Sequence, residues 1–173
     1  MRTSRCSVVV LMLAALSAVA AEKPGIPQKA LDELGYRVGK WQSEFFVDGV
    51  KQGEGLPETT TWTPDKYCII MHTVVHEKDV TFPATGITGW NAETKQIVEH
   101  WYGADGSYAT FRYSLDLKKD SWVGTAKWVS PDGRIEEGKS VVEKKSHDEW
   151  EWNGSFARNG TPHTYRTINR RVN

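Results

Sequence analysis

Residues 122–142, Trp-Val-Gly-Thr-Ala-Lys-Trp-Val-Ser-Pro-Asp-Gly-Arg-Ile-Glu-Glu-Gly-Lys-Ser-Val-Val, decide how this chain folds. Pro131-Asp132-Gly133 is turn chemistry: proline presets its own φ, and glycine takes the left-handed position that completes a tight hairpin turn. With Ser130 set against Arg134, counting outward pairs Lys127 with Glu137 and Thr125 with Lys139, polar partners suited to solvent. The other face gathers Trp122, Gly124, Ala126 and Trp128 against Val142, Ser140, Gly138 and Glu136. Small residues sit among large ones there, as the inside of a small barrel demands.

The neighbouring segments extend the same face. Gly103-Ala104-Asp105-Gly106-Ser107 repeats the turn chemistry, and counting from it puts Ile97, Glu99 and Trp101 on one side with Tyr113, Phe111 and Ala109. His100 and Arg112 fall outside. A four-residue loop through Lys118-Lys119-Asp120 joins the two hairpins. It is expected to set Phe111 opposite Trp128, Tyr113 opposite Ala126 and Leu115 opposite Gly124. All three hairpins then share one inner face, although a one-residue slip would turn a whole strand over.

Upstream, Trp41, Ser43, Phe45 and Val47 alternate with Gln42, Glu44, Phe46 and Asp48, a strand period, and Asp48-Gly49 is a hairpin signal. Residues 58–63 and 67–76 read as further strands, the second rich in Ile, Val and Thr. Downstream, Trp150, Trp152 and Phe156 alternate with polar residues, and residues 163–172 close the chain. Arg166 and Arg170, four apart, share a face of that last strand. Ahead of Gly39-Lys40-Trp41, the run from Lys29 to Tyr36 predicts one or two helical turns ended by Gly35. The expected fold is all-β: an antiparallel up-and-down meander closed into a barrel of about 8–10 strands, with a short N-terminal helix.

The chain opens with a basic Met1–Arg5, the apolar run from Val8 to Leu16, and Ala18-Val19-Ala20, the layout of a cleavable secretory signal. The run is short of the roughly 20 residues a spanning helix needs. We therefore divide the sequence into a signal peptide (1–21), a flexible leader (22–30) and a single barrel domain (31–173), exported to a periplasmic or extracellular location, with no membrane insertion after cleavage. Of 22 basic and 22 acidic side chains, Arg2 and Arg5 leave with the signal, so the remainder is slightly acidic and offers no footprint for nucleic acid. Cys6 leaves too, and Cys68 alone cannot form an internal disulfide; a buried, inert thiol in a strand is expected. Eight tryptophans must then supply much of the core.

A helical turn, Gly39-Lys40-Trp41 on the first strand, and a meander ending in an Arg-bearing strand together resemble the lipocalin and calycin barrels. The stretch Thr88-Gly89-Trp90-Asn91-Ala92-Glu93-Thr94-Lys95, with the later Trp-x-x-x-Asp-Gly rhythm, is similar to a bacterial exported lipocalin-like family of unknown function. The resemblance implies a barrel end plugged by Trp41 with an arginine packed across it, Arg170 first and Arg166 second.

Glu99 is the most informative single residue, because the register buries its carboxylate among Ile97, Trp101 and Phe111. Such a group either binds a partner or holds a raised pKa, and could orient a ligand head or serve as a general acid or base. Off-register, it would simply be solvated. Glu136, near a turn, is expected at a wet barrel mouth. His72 and His76 would share a helical face as metal ligands, but Thr73-Val74-Val75 favours a strand. That sets them about 13 Å apart, so no metal is assigned, and no cofactor. Asn153-Gly154-Ser155 and Asn159-Gly160-Thr161 match a glycosylation acceptor pattern but are read as turns.

Trp90, Trp101, Phe111, Tyr113, Trp128 and Trp152, with Glu99 as polar anchor, are thus the candidate ligand-binding residues, and Trp41, Arg166 and Arg170 the structural ones. The expected function is binding of a small apolar or amphipathic molecule within the barrel. Two alternatives stand beside it: an isomerase, cyclase or hydrolase acting through Glu99, and a structural or interaction barrel whose rings fill the interior.

Overall fold

The structure, a computed structural model, describes residues 25–77, 80–116, 119–158 and 160–172. The segment read as a signal peptide and most of the leader lie outside the described residues. The first element is helix α1 (Gln28–Arg37). The strands follow as β1 (Gly39–Val47), β2 (Val50–Lys51), β3 (Leu56–Trp62), β4 (Cys68–Glu77), β5 (Val80–Asn91), β6 (Gln96–Gly103), β7 (Tyr108–Asp116), β8 (Ser121–Val129), β9 (Ile135–Ser146), β10 (Glu149–Arg158) and β11 (Thr161–Val172).

β2 is a short flap on β1. The ten long strands pair antiparallel in chain order, and β11 returns to β1 from Lys40↔Val172 to Val47↔Tyr165, closing the sheet. A closed sheet has no free edge for another strand to join. The all-β meander barrel read from the sequence is the observed fold.

The turns fix the register as read in two hairpins. Thr125↔Lys139 and Trp128↔Glu136 pair across β8 and β9, and Glu99↔Phe111 across β6 and β7. The β7–β8 pair differs. Tyr113 lies against Gly124 and Phe111 against Ala126, because pairing ends at Asp116↔Ser121, one residue earlier on each strand than expected. The slide is by two residues, an even number, so every side chain keeps its face. Large still meets small, now also at Ala109↔Trp128.

Gly124 and Gly138 show why glycine is needed on β8 and β9: a Cβ at Gly124 would sit 1.8 Å from the Arg112 carbonyl oxygen, and one at Gly138 2.0 Å from that of Ser155. The sheet coils so tightly there that backbone meets backbone. The N-terminal element runs longer than expected. α1 starts at Gln28, inside the expected leader, and passes through Gly35 to Arg37. Gly35 serves contact instead of termination: a Cβ there would lie 3.4 Å from the Trp62 ring. Ala30 and Leu34 are fully buried beneath the helix, which shuts the barrel end where β1 begins. The opposite end, where the β6–β7, β8–β9 and β10–β11 turns lie, is termed the mouth.

Candidate functional site

Polar groups tie α1 into its end of the barrel. Glu33, 1% exposed, accepts from Trp122 Nε1 at 3.0 Å, Lys144 Nζ at 2.9 Å and Lys29 Nζ at 2.8 Å. Burial opposes the Glu33 charge, but these three donors hold its pKa below the ordinary value. Trp41, with no exposed surface, donates to the Arg37 carbonyl at 2.8 Å. The guanidinium stacked on its ring is that of Arg171, 4.1 Å from the centroid, and Arg171 also donates to the carbonyls of Val38 and Tyr36. Arg170 and Arg166 do not fill this role. They point outward, Arg170 to Glu44 and Glu149, Arg166 to Glu151. The parity of β11 decides it, since Trp41 pairs with Arg171.

Arg37, the last helical residue, enters the barrel. It is 3% exposed, donates to Glu99 Oε2 at 2.8 Å, and lies 4.5 Å from the Trp150 ring and 5.5 Å from that of Trp122. Glu99 is buried as the register required, and Thr88 Oγ1 also donates to it at 3.0 Å. A second carboxyl, Glu58, faces the same guanidinium. Burial pushes Glu58 up to about 7, Arg37 pulling it down and Glu99 adding to the rise. Burial thus favours the protonated Glu58 carboxyl well above the ordinary carboxylate range, and Thr60 Oγ1 donates to it at 3.2 Å.

Above this cluster the lining becomes aromatic. Trp152 Nε1 donates to the Tyr113 hydroxyl at 3.1 Å, and burial raises that hydroxyl's pKa well above the usual range, so it stays neutral. Phe111 meets Trp152 edge-on at 5.9 Å between centroids, Trp101 meets Trp128 at 4.9 Å, and Phe156 meets Tyr165 at 5.4 Å. A Cβ at Gly154 would lie 2.6 Å from the rings of Trp152 and Phe156, so its missing side chain is what seats them. Glu136 is not the wet mouth residue the sequence suggested: it is 3% exposed, with Arg158 Nε at 2.7 Å.

Six of the seven candidate binding residues (Glu99, Trp101, Phe111, Tyr113, Trp128 and Trp152) thus line one continuous inner wall. The seventh, Trp90, also faces inward, paired with Ile97, but at the helix end. Sequence reasoning missed Arg37 and Glu58. Arg37 gave a weak signal as a cation just ahead of Gly39-Lys40-Trp41, and Glu58 none, since its strand carries polar residues on both faces. His72 and His76 share β4 as expected, and His72 is exposed beside Thr85. Cys68 is half-buried, its Sγ 3.7 Å from Thr63 Oγ1, not the fully buried thiol expected. The turn reading fails at Asn153, which lies within β10. In the second acceptor pattern Asn159 lies outside the described residues, while Arg158 pairs with Thr161 and Gly160 has φ +80°.

No family model and no curated protein matches the chain. Among solved structures it is similar to a redesigned β barrel, with a TM-score of 0.43 and 10% identity over 83% of this chain and 96% of that one.

Proposed function

We propose that this chain is an exported, calycin-like barrel that binds a small, largely apolar molecule in the half of its interior away from α1. One observation carries the reading. Trp128 and Trp152 face inward in a closed sheet yet keep part of their surface in solvent. In a sealed barrel an inward ring is reached only through an end, and α1 shuts the other one. Phe111, Trp101 and Phe156 continue the apolar lining from these rings, and a wall of that chemistry with few polar groups suits a lipophile. Native mass spectrometry of the protein from its source should show one bound species, and a lipophile panel should quench tryptophan fluorescence. Neither a bound species nor any quenching would remove the reading.

Glu58 favours a second reading, a barrel enzyme. Arg37 and Thr88 occupy Glu99, so Glu58, titrating near neutrality, is the better general acid or base. In that case Glu58→Gln abolishes turnover of the bound molecule while leaving its binding intact.

A further inference from the structure

Three neighbouring side chains from three elements, Arg37 stacked on Trp150 and Asn169 paired with Trp150 across the strands, each carry a buried polar atom with no partner among the described residues. Arg37 uses its terminal nitrogens on Glu99 and Met71, but its Nε–H is unpaired. The Trp150 ring lies under that guanidinium and its Nε1–H is likewise unpaired. Asn169, fully buried and directly opposite Trp150, has one amide atom bonded to Ser43 Oγ at 2.5 Å and the other, Nδ2, free. Buried donors are nearly always satisfied in native proteins, and leaving one unpaired is destabilising. Two of these three can only donate, whichever way the amide is turned. The group they lack is an acceptor.

We infer that this cluster is the head-group subsite of the barrel and reads an uncharged carbonyl oxygen on an otherwise apolar guest. This rests on the binding function proposed above. Charge selects the carbonyl over a carboxylate. Arg37 already faces both Glu99 and Glu58, and a third carboxylate would bury a negative charge with no cation of its own, which is costly in a dry interior. A hydroxyl head would satisfy the donors but leave its own proton seeking an acceptor among them. The three donor atoms are out of solvent reach, so the oxygen meets them only when a wall side chain turns aside. Trp152 is that wall: it is the next inward residue after Trp150 on β10, half-buried, and its indole N–H is held by Tyr113.

The probes are methyl heptyl ketone, nonane and nonanoate, titrated into the full protein at pH 8 by native mass spectrometry and tryptophan fluorescence. The ketone should bind about tenfold more tightly than nonane, with nonanoate the weakest. Trp150→Phe, which keeps the ring and removes the N–H, should cut the ketone's affinity several-fold and leave that of nonane unchanged. Asn169→Leu is the second variant, read by the same ketone-to-nonane ratio. Equal affinity for ketone and nonane in the native protein overturns the subsite while leaving the binding barrel standing. Binding of none of the three overturns both. A ketone complex with water on these donors and the carbonyl elsewhere also overturns the subsite.

Discussion

The two ends of this barrel use the same residue types to opposite effect. At the helix end, Trp41, Trp122 and Trp150 are each under 5% exposed, and the indole N–H groups of Trp41 and Trp122 are bonded to α1. At the mouth, Trp128 and Tyr165 are only partly buried, their rings packed on Trp101 and Phe156. The difference lies in what covers the rings. A helix carrying Glu33 and Arg37 supplies polar partners and a lid at one end, whereas at the mouth no helix covers the rings and Arg158 bonds Glu136 and the Tyr165 hydroxyl beside them. Indole burial with a satisfied N–H builds stability; ring surface left in reach of solvent is surface a guest can bury. Tryptophan count alone therefore does not tell sealed rings from rings left in reach of solvent.

The largest effects should come from the helix end. Trp122→Ala removes a buried ring and the donor to Glu33, and should cost about 3–5 kcal/mol in denaturant unfolding. Trp128→Ala at the mouth should cost under about 2 kcal/mol; equal losses would break the comparison. Arg37→Met leaves Glu99 buried without its cation, and a loss of about 3–5 kcal/mol is expected, measurable as a lowered midpoint with unchanged slope.

Next comes pH. The Glu58 carboxyl has an ordinary value of 4.5 and titrates near 7 in the barrel, so between those values the folded state binds the extra proton. Its contribution to stability is complete below 4.5 and is lost as pH rises through 7, a change of order 3 kcal/mol. Glu58→Gln should flatten that slope, so that the variant gains on the native protein between pH 5 and pH 8. Parallel stability–pH curves for the two proteins would show that Glu58 is ionised throughout.

The smallest effects separate neighbouring arginines. Arg171→Ala loses the stack on Trp41 and two bonds to carbonyls, and should cost about 1–2 kcal/mol. Arg170→Ala breaks exposed ion pairs and should cost under about 1 kcal/mol. The reverse order would return the plug role to Arg170.

Much of the inner wall was legible in the sequence because strand alternation is local and Asp-Gly or Pro-Asp-Gly turns pin its phase. Glu99 and Phe111 were placed correctly by counting from Gly106, and Trp128 and Glu136 by counting from Gly133. The loop through Lys119 and Asp120 has no glycine to mark its centre, and there the register slid. For β11 the marker existed. Counting outward from Asn159-Gly160 pairs Arg158 with Thr161 and turns Asn169 and Arg171 inward, which excludes Arg166 and Arg170 as the plug.

By itself the sequence determined the meander, the alternation and one inner aromatic face, since these depend on neighbours two residues apart and on turns of a few residues. Only the tertiary structure decided the rest: that Arg37 reaches Glu99 across 62 positions of chain, and that Glu58 shares that guanidinium. Such pairings depend on barrel closure and on where the helix comes to rest. A charge becomes buried or solvated by what lands on it, and no local pattern records that.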